Sequence, residues 1–290
     1  MFDVVIPLGP NDLENIEKQI ACTKTNVIGL RNIYVVTPFS KFFNNDSITI
    51  NETIFPFIDQ VAIYHGKDKR NAWYLQQLIK LYAGIVIPGI LDRYLVIDAD
   101  TFFINPTTFI NSENQCQYNF GREYHCHYFD HMQRLHPELT RVYELSGICH
   151  HMIFERRFIK KMFELVEEKH DKPFWQTFLE KVEPWLRHGF GSGASEYELY
   201  FNYVCKFHSD EIEVRELNWE NVQKLDFTME LNYISHHHFN REQGICKVIH
   251  YSIRTCTILL RLSYLFLCCK DIVYLSGRAI SQSFYQMLYT

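Results

Sequence analysis

The chain has 290 residues, of which 47% are hydrophobic and 16% aromatic, and a formal net charge of −5. That length and apolar content suit one elaborated α/β domain with a full core. The mild negative charge, with no dense Lys/Arg block, argues against a nucleic-acid footprint, and nine cysteines without a Cys-x-x-Cys pair argue against a disulfide scaffold and for a reducing compartment.

Taken in chain order, Phe2-Asp3-Val4-Val5-Ile6-Pro7-Leu8 reads as a buried strand, and Gly9-Pro10-Asn11-Asp12 as a turn and helix cap. The strand begins directly after Met1 with no apolar leader before it, so a cytoplasmic protein is expected. Asn32 to Thr37 reads as a second strand and Val61 to Tyr64 as a third. Asp68 or Asn71 caps a helix over residues 72–83, where Leu75, Leu78, Ile79 and Tyr82 recur at helical spacing and Gly84 is the expected stop.

The next apolar run, Arg93 to Ile97, ends in Asp98-Ala99-Asp100. If the extended conformation persists, alternation turns both carboxylates to one side. Paired oxygen ligands with open positions suit Mg²⁺ or Mn²⁺, which keep waters and take substrate phosphates. An isolated Asp-x-Asp is better explained by a capped or solvated strand end. Its place beyond an apolar strand, where open α/β sheets bind ligands, gives it weight.

Further along, Gly121 to Tyr128 is polar and aromatic enough to line a cleft, while His125, Cys126, His127 and His131 lack the second spaced pair of a structural zinc site. His150 and His151 read as polar residues at a strand end, and Arg156 to Lys169 as an amphipathic helix. The glycine-rich run from Gly189 leads into a helix with Ser195 as cap and Glu196 and Glu198 in the first turn, where the helix dipole favours acids. Two helical residues apart are separated by about 200°, so Glu196 and Glu198 face different ways. In Tyr233 to Phe239, alternation puts His236 and His238 on one face and His237 on the other, which leaves the choice among them open. Composition changes after Gly244. Residues 258–269 are apolar nearly all round but contain Arg261 and fall short of the about 20 needed to span a bilayer, so a helical tail packed on the domain is expected, with an interfacial membrane helix as the alternative.

The Val4-Val5-Ile6-Pro7 opening, the Trp73 to Leu81 helix, Asp98-Ala99-Asp100, Ser146-Gly147-Ile148, Ser195 to Glu198 and the late histidine run resemble, in that order, nucleotide-sugar glycosyltransferases of the GT-A fold. More narrowly, the chain resembles a poorly characterised group of such enzymes from bacteria and large viruses. The resemblance implies a Rossmann-like α/β domain over residues 1–240, with a mixed central sheet flanked by helices; the change in composition beyond it gives the expected C-terminal helical extension over 241–290. The resemblance further implies transfer of a sugar from a nucleoside-diphosphate donor, UDP-sugar first, to a hydroxyl of a glycan, protein or lipid acceptor. Mn²⁺ or Mg²⁺ would be held by Asp98 and Asp100 with His237 or His238. Pro7, Leu8 and Gly9 would approach the base or ribose, and Asp98 the ribose or a metal water. Arg70 and Lys80, with Lys67 and Lys69 behind them, would face the diphosphate, and Glu196 would be the base. A nucleotidyltransferase or a non-catalytic sugar- or nucleotide-binding protein is the alternative.

Overall fold

The opening apolar run forms strand β1 (Phe2–Pro7), in which every residue is buried, as a strand covered on both faces requires. In the computed structural model, which describes residues 1–39, 42–66, 70–187 and 192–237, β1 is followed by helix α1 (Ile16–Asn26) and strands β2 (Leu30–Thr37) and β3 (Ile48–Asn51). Helices α2 (Ile58–Ile63) and α3 (Asn71–Val86) lead to β4 (Arg93–Ile97), β5 (Thr101–Phe103) and β6 (Cys116–Tyr118). Then come α4 (Cys126–Leu135), β7 (His151–Glu155), α5 (Arg156–His170), α6 (Phe174–Glu180), α7 (Glu196–Phe207), β8 (Ile212–Val214), β9 (Trp219–Asn221) and β10 (Tyr233–Ser235).

Five strands make a mixed central sheet in the order β3-β2-β1-β4-β7, with β7 antiparallel to β4 and the remaining pairs parallel. Helix α3 packs on β1, β4 and β7, α5 on β7, and α7 on α3, α4 and α5. The first strands run outward from β1 in one direction, and β4 takes its place on the other side. The carboxyl ends of β1 and β4 therefore flank a topological switch point, the position where open α/β sheets form a crevice. Pro7-Leu8-Gly9 lies at one of those ends and Asp98 at the other. A second sheet, β5-β10-β9, pairs Ser235 with Thr101 in antiparallel register. That register brings His236 and His237 back to Asp100 across a large sequence distance.

Three local expectations are corrected. Val61 to Tyr64 is not a strand but runs into helix α2 and its cap: Val61 is buried while Ile63 is 73% exposed, the one-sided burial of a short helix. The third strand is instead β3, whose polar and half-exposed residues carry little apolar signal. Asn71 does not cap α3; its side chain bonds Ala62, His65 and Gly66 and ties the α2–α3 connection together, while Asp68 lies outside the described residues. Gly84 does not stop the helix, which continues to Val86.

Gly84 is instead a packing position. A Cβ there would fall 2.3 Å from Cε1 of Tyr94, a fully buried ring stacked on Phe154 with its hydroxyl donating to the carbonyls of Lys80 and Leu81. Gly84→Ala is therefore expected to destabilise the fold by about 1–3 kcal/mol through overpacking, although alanine is the better helix former. A denaturant melt measures it, and an alanine variant as stable as wild type would show that Tyr94 has room to move.

Candidate active site

Strand β4 ends at Ile97, and the two acids do not continue it. The amide of Thr101 donates to the carbonyl of Asp98 at 2.9 Å, which closes a turn across Ala99 and Asp100. The alternation that would align the carboxylates thus ends before they begin, and each finds its own partners. Oδ1 of Asp98 lies 2.6 Å from Nζ of Lys80 and accepts from the hydroxyl of Tyr197 at 2.9 Å. Oδ2 of Asp98 is 3.7 Å from Nδ1 of His150. Asp100 turns the other way, with Oδ2 2.8 Å from Nδ1 of His237 and its carbonyl accepting from the amide of His236.

Lys80 joins Asp98 to helix α7. It projects from the inward face of α3 with its side chain only 4% exposed, and its ammonium also lies 2.6 Å from Oε1 of Glu196 and 4.3 Å from the centre of the Tyr197 ring. A buried ammonium is tolerable only when paired in this way. Ser195 caps α7 by accepting from the amide of Glu198. Glu196 and Glu198 then diverge, Glu196 to Lys80 and Glu198 to the hydroxyl of Ser146, the amide of Gly147 and the side chain of Asn202. Glu198 thus anchors the helix to the Ser146-Gly147 segment, and Glu196 faces the acid turn.

Burial works against the charges of Lys80, Asp98, Glu196 and His237, and its balance with their partners sets the direction of each shift. For Lys80, burial is outweighed by Asp98 and Glu196, and its pKa rises above the ordinary lysine value. Burial of Asp98 is outweighed by Lys80 and His150, and its pKa falls below the ordinary carboxylate range. For Glu196, burial, aided by nearby Asp98, outweighs Lys80, and its pKa is raised. His237 is also raised, because Asp100 more than offsets burial. The cluster therefore holds one carboxylate firmly ionised and another poised closer to protonation, the separation that acid–base work uses.

Residues 23–243 match the model of a family described as a family of unknown function, DUF6492. The chain belongs to the DUF6492 family. No curated protein matches it. Among solved structures, it is similar to the apo form of mouse xyloside xylosyltransferase 1, at 10% identity and a TM-score of 0.42, with 81% of this chain and 97% of that one covered.

In this DUF6492 chain, Lys80, Asp98, Asp100, Glu196 and His237 come together in one connected cluster, whereas His238, Lys67 and Lys69 lie outside the described residues. Pro7 and Leu8 are buried at the end of β1. Gly9 precedes a short 3-10 turn with open space where a side chain would stand, so the fold itself does not demand glycine there. Arg70 sits just before α3, over the ring of Trp73, and helical rise sets it about 15 Å along the axis from Lys80. No helix among the described residues is long and apolar enough to cross a membrane. The predicted tail, 241–290, falls outside the described residues.

Two residues of the DUF6492 site escape a reading of the sequence. Tyr197 lies inside the helix-start motif, yet nothing local shows that its hydroxyl reaches Asp98. His150 is more telling. It has a φ of +62°, its carbonyl accepts from the amide of Asp98, and it is 7% exposed with Nε2 buried and unpartnered. Its ring meets those of His237 at 4.7 Å and Trp219 at 5.1 Å. A left-handed backbone at a non-glycine residue costs of order 1–3 kcal/mol, and such strain persists where surrounding contacts over-determine it, often at functional sites.

Proposed function

We propose that this protein is a metal-dependent glycosyltransferase that moves a sugar from a nucleoside-diphosphate donor, a UDP-sugar, to a hydroxyl of a glycan, protein or lipid. The observation that carries the reading is the acid turn at the crevice end of the central sheet, linked on one side to a buried lysine and a helix-start glutamate and on the other to a histidine. The order of motifs that resembles GT-A enzymes supports the same reading.

Among the described residues, no group of three His, Cys, Asp or Glu is arranged to hold a metal by itself. The Asp100–His237 pair nevertheless suits Mn²⁺, which accepts both carboxylate and imidazole, and Mg²⁺ or Mn²⁺ characteristically takes its remaining ligands from water and substrate phosphate. Asp100 and His237 are thus the proposed metal-holding pair. When bound, the cation would neutralise the diphosphate leaving group. Asp98, with Oδ1 already engaged, acts instead by holding Lys80 charged and in place beside the phosphates. Pro7-Leu8-Gly9, across the switch point, lines the nucleoside side. Glu196 takes the proton of the acceptor hydroxyl as Lys80 shifts its hydrogen bonding toward the donor.

If metal and nucleotide share a site, each must strengthen the other's binding. UDP is expected to bind about 5- to 150-fold more tightly with Mn²⁺ than with EDTA in the wild type, and equally in both conditions in Asp100→Asn, which keeps the side-chain size but removes the anionic ligand. Isothermal calorimetry in the four combinations tests this. Equal affinity throughout would reject a metal-dependent donor site and favour metal-free sugar or nucleotide binding. Hydrolysis of ATP or CTP in preference to UDP-hexose would favour a nucleotidyltransferase.

A further inference from the structure

A cleft of about 460 Å³ opens beside the acid cluster, lined by Phe120 to Glu123, Glu216 to Trp219, and Asn221. Its volume falls within the range of small-molecule sites. Trp219 is its aromatic wall. The indole lies parallel to Tyr233, at 5.4 Å and 9°, and Tyr233 is itself clamped because its hydroxyl donates to the carbonyl of Cys149 and accepts from Asn119. The wall is therefore rigid. His150 touches both Trp219 and the acid turn, so the strained residue is the physical link between cleft and cluster.

We propose that this cleft binds a neutral sugar and forms the acceptor side of the site, an inference that rests on the glycosyl-transfer reading above. An aromatic wall offers a flat surface to the C–H face of a sugar ring. Glu123, Glu216, Asn218 and Asn221 offer carboxylate and amide groups to its hydroxyls. The lining carries Glu123 and Glu216 against Arg122, which lies 3.8 Å from Glu216. Two negative charges against one positive leave it net negative, which disfavours an anionic sugar. His150 acts as a positioning residue, setting Trp219 relative to Asp98 so that a hydroxyl in the cleft faces the transferred group.

Saturation-transfer NMR with lactose, methyl β-xyloside and glucuronate tests the assignment on wild type, Trp219→Phe, Trp219→Ala and Glu123→Lys, each checked for folding by thermal melt. At least one neutral sugar is expected to bind wild type more strongly than glucuronate does, to keep binding in Trp219→Phe, and to bind Trp219→Ala at least about threefold more weakly. Glu123→Lys, an exposed change that reverses the sign of the lining, is expected to raise glucuronate binding, and it keeps the test open should the alanine variant not fold. No neutral sugar bound to wild type, unchanged binding in Trp219→Ala, or a glucuronate preference in wild type would each overturn the proposal. Calorimetry of UDP with Mn²⁺ runs in parallel. Sugar binding that depends on Trp219 without metal-linked UDP binding would sink the donor reading and leave the cleft as a sugar site, whereas the reverse pattern would sink the cleft alone.

Discussion

Replacing Lys80 with methionine is expected to destabilise the protein by about 3–5 kcal/mol at neutral pH, the usual result of removing one partner from a buried charge pair. The cause is what remains behind. Glu196, 5% exposed, and Asp98, 18% exposed, would face each other without the ammonium that lies 2.6 Å from each. Methionine fills most of the vacated volume, so lost packing contributes little. The pH dependence distinguishes charge from packing. Without Lys80, the pKa values of the two carboxylates rise in the folded state above their unfolded values, so the folded variant binds protons more readily than the unfolded chain does. Its deficit relative to wild type must therefore shrink as pH falls toward the ordinary carboxylate range, about pH 4. Urea melts at neutral and acidic pH measure this, and a deficit that does not change with pH would mean that Lys80 serves packing alone. The double variant Lys80→Met with Glu196→Gln is expected to recover part of the loss, because the most deeply buried unpaired charge is then gone.

On the glycosyl-transfer reading proposed above, Glu196→Gln by itself is expected to leave the fold and the affinity for UDP nearly unchanged and to lower sugar transfer by about 10²- to 10⁴-fold, the usual contribution of a positioned general base. The amide oxygen can still accept from Lys80, so the contact that ties α3 to α7 survives while proton-accepting power is lost. The raised pKa of Glu196, with burial as its main cause, moves it toward the range in which a base is effective near neutral pH. Because the loss belongs to the chemical step, it should fall on kcat and not on KM. Transfer at a near wild-type rate would reduce Glu196 to a counter-charge for Lys80 and would favour a retaining mechanism, which the anomeric configuration of the product by NMR would settle.

Much of the framework was legible because it depends on local pattern. The buried runs of β1, β2 and β4 are apolar stretches bounded by turn residues, and α3 and α5 repeat at helical spacing, so their kind and place follow from the residues themselves. Where the apolar run was short, pattern failed. Val61 to Tyr64 suits a strand or a helix equally, and only packing of Val61 on one side decides for the helix. Gly84 reads as a terminator until Tyr94 is placed against it. The Asp98/Asp100 alternation depended on an extended backbone that the turn at Ala99 does not provide.

By itself, the sequence determined that an apolar strand would deliver two acids at its carboxyl end in an α/β sheet and that a capped helix would begin with glutamates, since both are consequences of neighbouring residues. Tertiary structure alone decided what those acids do. Lys80 and Glu196 are 116 positions apart, and Asp100 and His237 are 137 apart. Their pairing follows from how α7 lies on α3 and how β10 registers on β5, neither of which is written in local spacing. The same holds for His150, whose left-handed backbone and buried ring are imposed by Asp98, Trp219 and His237 meeting around it. Burial turned an ordinary lysine and an ordinary histidine into the center of the site, because the cost of removing such groups from water is set by the partners that the fold assembles.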